Sequence, residues 1–433
     1  MKTKSHVLGA IAVLLLGALL FATLTASTTK RTIKPEKGCV YMTVMGEQQS
    51  RGFGLYHSDK NIKLAVRDGL KWLSEAQLPN GGYGAGSHSA QHVRNPQAVK
   101  ADPATTAMVG MALLRSGTTL KTGTHSKNLK RALAYLLETI ENVEDKNPYI
   151  TTIQNTQIQT KLGQNIDAVL AAQFLSNVLE RDLENMDRKR VVRCLDLCIS
   201  RIQKGTDKSG KQRGAGWAGV LQSGMANSAL EAAQAVGASV NEEVLENAKK
   251  YQKDNYNEND GSVNADDGAG IILYSVSGSV RASAKEARKA KADFDRAKAE
   301  GRIDAEAEIN AETLEEIGYV SGDAQKYGTA YKVYESAKKT AQNDKVLDGF
   351  GNNGGEEFLS YLQTGESLIV GNDEDWKSWY NNMSGRILKI QNKDGSWSGH
   401  HCITSPVFCT ATSLLLLTVE EDLAFLKKIG AEQ

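Results

Sequence analysis

Residues 391–417 read QNKDGSWSGHHCITSPVFCTATSLLLL. Gln391 leads into the turn Asp394-Gly395-Ser396-Trp397, two histidines and a cysteine come next, and Cys409 opens an apolar run. Asp-Gly breaks regular structure. The stretch therefore joins a helix ending near the glutamine to a second, apolar helix. The same unit recurs along the chain, and a recurring unit sets the architecture before any single motif does.

The first copy is LAVRDGLKWLSEAQLPNGGYGAG (64–86) followed by PATTAMVGMALLRSG (103–117). Leu64, Leu70, Trp72 and Leu73 recur at helical spacing. Asn80-Gly81-Gly82 ends that helix, and Pro103 can open the next, whose Ala, Gly and Met residues form a narrow, close-packing face. Further copies begin at Val191 (VVRCLDLCISRIQKG), Val244 (VLENAKKYQKDNYNENDGSV) and Gly349 (GFGNNGGEEFLSYLQTG), and the last at Trp376. LKRALAYLLETI (129–140) and QNIDAVLAAQFLSNVLE (164–180) make another pair with a degenerate turn. Roughly six helix pairs result, and strand-like alternation is scarce, so the class is all-α. Helix pairs cannot bury their inner faces alone and must stack, either as an open solenoid or as a closed ring.

Gln391, Asp394, Gly395, Ser396 and Trp397 form a pattern that resembles the repeat of squalene cyclases and protein prenyltransferases. NGGYGAG (80–86) and GAGW (214–217) resemble its glycine-aromatic variants. The resemblance spans most of residues 60–425 and implies an α/α-toroid, a double barrel with the small-residue helices inside. It implies no single activity, because one fold hosts several. The domain limits are then 56–430 for the toroid, 28–55 for a lead-in linker and 1–27 for a leader. Residues 281–346, rich in Ala, Lys and Glu, read as a charged helical insertion. Such charge runs face water; the alternative is a docking element for a protein partner.

The leader is a basic MKTK followed by the apolar stretch Val7–Ala26. It reads as an export signal or, uncleaved, as a membrane anchor, and implies a periplasmic or extracellular protein. The net charge of +1 over 433 residues argues against nucleic acid as a main partner. An exported chain permits disulfides. Cys402 and Cys409 are the best candidate pair among the five cysteines, whereas Cys194 and Cys198, at i and i+4, read as buried small residues.

If the second helices line a cavity, the segments just after the turns gather at one end of it. Those segments carry His88 and His92, Gln222 and Asn227, Asp266 and Asp267, Glu356 and Glu357, then His400, His401 and Cys402. NADD (264–267) resembles the Asp-x-Asp-Asp acid motif of terpene cyclases, with Asn264 in its first position and Asp266 as the proton donor. Alkene protonation needs a carboxyl held protonated in a dry pocket. The competing reading makes Asp266 and Asp267 caps for a helix over 268–277. Glu356-Glu357 offers general acid and base, or again a helix start. His400, His401 and Cys402 suit zinc, with a fourth ligand from elsewhere. The resemblance to prenyltransferases implies a zinc site here, but no Asp-x-Cys partner stands in the preceding unit. His88, His92, His400 and Cys402 form a substitute set. Cys402 could instead act as a nucleophile with a histidine base.

Three functions stay open at this point. One is an exported cyclase- or transferase-like enzyme acting on an isoprenoid or other apolar ligand. The second is a non-catalytic envelope binding or scaffold protein. The third is a metal- or thiol-dependent enzyme acting on an envelope glycan or peptide.

Overall fold

The computed structural model describes residues 57–144, 146–181, 187–351 and 353–431. The leader and the lead-in linker lie outside them. Among the described residues the structure is helical, with only isolated β-bridges. No helix there is long and apolar enough to cross a membrane.

The helices come in pairs. The leading members are α1 (Asp59–Ala76), α3 (Ser126–Glu141), α6 (Arg188–Gly205), α8 (Glu242–Asp254), α11 (Ser321–Ala341) and α14 (Trp376–Lys389). The second members are α2 (Pro103–Arg115), α5 (Ile166–Arg181), α7 (Gly219–Ala235), α9 (Ile272–Ala299), α13 (Gly355–Val370) and α15 (Pro406–Leu417). Shorter helices are α4 (Gln157–Leu162) before α5, α10 (Ala311–Glu316) and α12 (Asp344–Leu347) around α11, and α16 (Leu423–Gly430) at the end. Most leading helices bury one stripe, as α1 does with Leu70 and Leu73. Apart from the far half of α9, the second helices lack a polar face. Every residue of α2 and α15 is buried, so each must be enclosed by other helices. They pack in sequence, α2 on α5, α5 on α7, α7 on α9, α9 on α13 and α13 on α15, and α15 packs on α2.

The first and last turns are built alike. Gln77 Nε2 donates to the Gly81 carbonyl (2.8 Å) and to Asn128 in α3 (2.9 Å). Gln391 Nε2 donates to the Gly395 carbonyl (2.8 Å) and to Ala65 in α1 (3.0 Å). Each glutamine thus closes its own turn and ties it to another leading helix. The turn glycines have φ of 90° and 92°, where other residues are strained. They also lie flat against that helix. A Cβ on Gly81 would stand 2.7 Å from the Arg131 carbonyl oxygen, and one on Gly395 2.8 Å from that of Asp68. Two residues on, Tyr83 and Trp397 are fully buried. Each exchanges backbone hydrogen bonds with one threonine of its second helix, Thr106 for Tyr83 and Thr410 for Trp397.

Residue 281 marks no break. Helix α9 continues through it as one rod, and Arg281 is buried against Glu231 at 2.5 Å. Beyond it the face carrying Ala290 and Phe294 packs with Ile309, Leu314 and Ala324 into a small second core. Charges such as Lys291 and Asp295 occupy the other face. The Ala-rich composition that reads as a solvated hairpin thus also supplies a buried stripe.

Candidate functional site

Two loops that lie just after turns are stitched together. His400 N–H donates to the Asn353 carbonyl (2.8 Å), and Gly355 N–H donates to that of Ile403 (2.9 Å). The approach is close: a Cβ on Gly354 would stand 2.7 Å from both the Glu356 carboxylate and the His401 carbonyl oxygen. From the other side, Gln157 of α4 accepts the backbone N–H groups of Thr404 (2.8 Å) and Ser405 (3.1 Å). Arg94 donates to the Gly399 carbonyl (2.8 Å) and to that of Thr404. The loop 399–405 is therefore held from the 86–94 and 353–357 segments and from α4.

This stitching assembles Glu356, His401 and Cys402. One ligand atom from each lies within 4.8 Å of the others. Glu356 is 2% exposed and accepts the Ile403 N–H (3.3 Å). Cys402 has φ of 54°, a left-handed backbone that costs a β-carbon residue energy and holds only where the surroundings enforce it. Glu357 is fully buried and supports the cluster. Its carboxylate accepts the N–H groups of Gly354 (2.7 Å) and Phe350 (3.1 Å) and the Tyr274 hydroxyl. It also faces His401 Nε2 at 3.6 Å.

The electrostatics are those of crowded acids in a dry place. Burial, then the mutual charge of the pair, pushes the Glu356 carboxyl up, and burial does the same to Glu357. Burial followed by the Glu356 charge pushes the Cys402 thiol up to about 12. Lys161 of α4 brings a positive charge to bear on both Glu356 and Cys402. Its ammonium approaches the Cys402 thiol and lies 4.4 Å from the centre of the Trp217 ring. Trp217 and Phe350 are 67% and 58% exposed, so the polar cluster has aromatic surface at its mouth. Phe350 sits 5.0 Å from the His401 ring.

The other sequence candidates do not join this cluster. His88 bonds to Gln91 at 2.6 Å, and His92 and His400 are exposed, so the set His88, His92, His400 and Cys402 is not assembled around one point. The backbone grip of 353–355 on 399–403 turns Cys402 inward and leaves the imidazole of His400 outside. Asp266 is exposed, and Asp267 pairs with Lys211 and Tyr251. Neither occupies the dry pocket that alkene protonation requires. Neither caps α9 either, since that helix starts later, at Ile272, with no side-chain cap. Cys402 and Cys409 are free thiols, which corrects the disulfide expectation. Cys409 lies in the first turn of α15 with its thiol 3.6 Å from the Ile403 carbonyl, while Cys402 turns toward Glu356 and His401. Cys194 and Cys198 are buried in α6 as expected.

Sequence reasoning missed Gln157 and Lys161 as site residues, and Tyr274 as the hydroxyl that holds Glu357. The one available signal was the polar run QIQTKLG (157–163) just ahead of an inward-packing helix. A groove of about 1020 Å³ between α1, the 116–128 loop and Tyr380 shares no residue with the cluster.

The chain matches no family model and no curated protein.

Proposed function

We propose that the chain is a metal-dependent enzyme of the cell envelope that acts on a glycan or peptide, with zinc held by Glu356, His401 and Cys402. We further propose that its helix pairs close into an α/α-toroid. The cyclic packing of α2, α5, α7, α9, α13 and α15, together with the tie from Gln391 to α1, supports the closure. The resemblance to the squalene cyclase and prenyltransferase repeat points the same way.

The observation that carries the enzymatic reading is the carboxylate–imidazole–thiol triad. Its donor set fits zinc, which in catalytic sites takes three protein ligands and keeps one position open. Such an ion supplies Lewis acidity to a carbonyl or a water. A divalent charge would also offset the burial that disfavours anions at Glu356 and Cys402. Glu357 lies on the Nε2 side of His401, leaving Nδ1 as the ligand nitrogen. A carboxylate behind a ligating histidine fixes the ring's orientation and raises its basicity. Glu357 is itself fixed by Tyr274, Phe350 and Gly354, so it is a positioning residue.

A metal-free thiol mechanism is served poorly. Reactive cysteines have depressed pKa values, and the Cys402 thiol is pushed the other way. An isoprenoid substrate is also served less well, because Lys161, Gln157 and the two glutamates make the surroundings of the triad polar.

Elemental analysis of the purified chain, after growth or reconstitution with zinc, tests the reading. We expect about one zinc per chain, as three-ligand sites bind. Cys402→Ser and His401→Ala should lose most of it, and His92→Ala should keep it. A folded wild-type chain that takes up no transition metal would refute the proposal.

A further inference from the structure

Helix α4 carries a second feature of the same site. Gln157 and Lys161 stand at i and i+4, one above the other on one helix face. Both are buried, Gln157 at 0% and Lys161 at 5% exposure. The Gln157 carbonyl oxygen is occupied by Thr404 and Ser405, but its Nε2 has no acceptor. The Lys161 ammonium approaches the Trp217 ring and the Cys402 thiol, and forms no ion pair with a carboxylate among the described residues. A buried donor without an acceptor is costly. The ammonium beside it is in no salt bridge among the described residues, and its charge only lowers the acids Glu356 and Cys402 from the side. Here the two are neighbours, and they border the triad.

We propose that Gln157 Nε2 and Lys161 Nζ form a subsite for one carboxylate group of the substrate, a reading that rests on the enzymatic assignment of the triad. The choice of carboxylate comes from charge and donor number. One ammonium and one amide match a monoanion with two oxygens. A phosphate dianion would bring more charge than Lys161 offsets, beside Glu356 and Glu357, and more oxygens than two donors serve. The exposed face of Trp217 beside Lys161 lets the rest of the ligand lie outside while the carboxylate enters. A peptide C-terminus and a uronic acid both carry this group.

Calorimetry on the zinc-loaded full chain tests the subsite with matched probes. Acetyl-alanyl-alanine is compared with its C-terminal amide, and methyl glucuronide with methyl glucoside. We expect one carboxylate probe to bind at least about tenfold tighter than its neutral partner, as charge-assisted hydrogen bonds allow. The pair that shows the preference identifies the source. Lys161→Met should abolish the preference, and Lys161→Arg should retain it. Gln157→Glu keeps the acceptors for Thr404 and Ser405 but removes the donor, so it should abolish the preference as well. Zinc content should stay unchanged in Lys161→Met. No preference in the wild type, as when water alone satisfies Gln157, overturns the subsite. So does a preference that survives both Lys161→Met and Gln157→Glu, or inorganic phosphate binding as tightly as the better carboxylate. A carboxylate preference in a chain that holds no zinc would leave the subsite standing and refute the metal reading alone.

Discussion

The turn after Gln77 and the turn after Gln391 share a glutamine clamp, a glycine at positive φ, a buried aromatic residue and a threonine partner. Beyond these turns the two loops diverge. After Tyr83 the chain runs through Ser87, His88 and His92 along the surface. After Trp397 it runs through His401 and Cys402 into a cluster with Glu356. Both segments are rich in histidine, and both leave the same kind of turn. The second becomes a site because loop 353–355 grips it through Asn353 and Gly355, and Gln157 and Arg94 hold its far side. A repeat delivers loops to equivalent places, but partners across the fold decide which loop holds chemistry.

The shared half of this comparison should break first at the glycines. Gly81→Ala and Gly395→Ala should each cost about 3 kcal/mol or more in urea unfolding, from left-handed strain plus collision with another helix. Gly117 offers the control, with φ of 86° and nothing within 4 Å of an added Cβ. Gly117→Ala should cost only about 1 kcal/mol, from strain alone. Equal losses at Gly117 and Gly395 would show that the turn-to-helix contact is not what binds the units.

The two units also cap their second helices differently, Asp102 in the first and Ser405 in the last. Burial raises Asp102 to about 6, while burial and the nearby Asp102 charge raise Asp167 to about 7. Both folded values lie above the unfolded carboxyl value of about 4. Their contribution to stability is therefore fully present below that value and is lost as pH rises through 6 and 7. Unfolding free energy should fall by on the order of 4 kcal/mol between pH 5 and pH 8 from this pair. Asp167→Asn should flatten much of that slope, and Ser405→Ala should leave it intact. An unchanged slope in Asp167→Asn would place the titration elsewhere.

Gln391→Ala should cost about 1–2 kcal/mol, because it loses two hydrogen bonds to backbone carbonyls. Gln77→Ala should cost more, because Gln77 Oε1 also accepts from Asn128 (2.9 Å) and Arg131 (3.2 Å). A larger loss at Gln391 than at Gln77 would end the equivalence of the two turns. The smallest effect belongs to the exposed His92. His92→Ala should change stability by less than about 0.5 kcal/mol, with unfolding midpoint as the readout.

Much of the fold was legible in local pattern. Glutamine, glycine and aromatic spacing marked the turns, and small-residue runs marked the buried helices. Part of the site was legible for the same reason, since Glu356, Glu357, His401 and Cys402 all come just after turns. Lys161 and Gln157 were not legible, because their roles arise from contacts with Cys402 and Thr404, more than two hundred residues away in the chain. NADD misled in the opposite direction. Its local pattern fits an acid motif, yet Lys211 and Tyr251 hold Asp267 and water reaches Asp266. The spacing of Cys402 and Cys409 allowed a bridge; the helix start at Pro406 and the left-handed turn at Cys402 sent the two thiols to different partners.

For QNKDGSWSGHHC, then, the sequence alone determined the turn. The glycine conformation and the Gln391 bond to the Gly395 carbonyl act within a few residues; the tie to Ala65 in α1 is added by the fold. Only the tertiary structure decided that His401 and Cys402 meet Glu356 while His400 does not. Side-chain direction in a loop is set by what grips its backbone, and here the gripping groups come from α4, the 86–94 segment and the 353–355 loop.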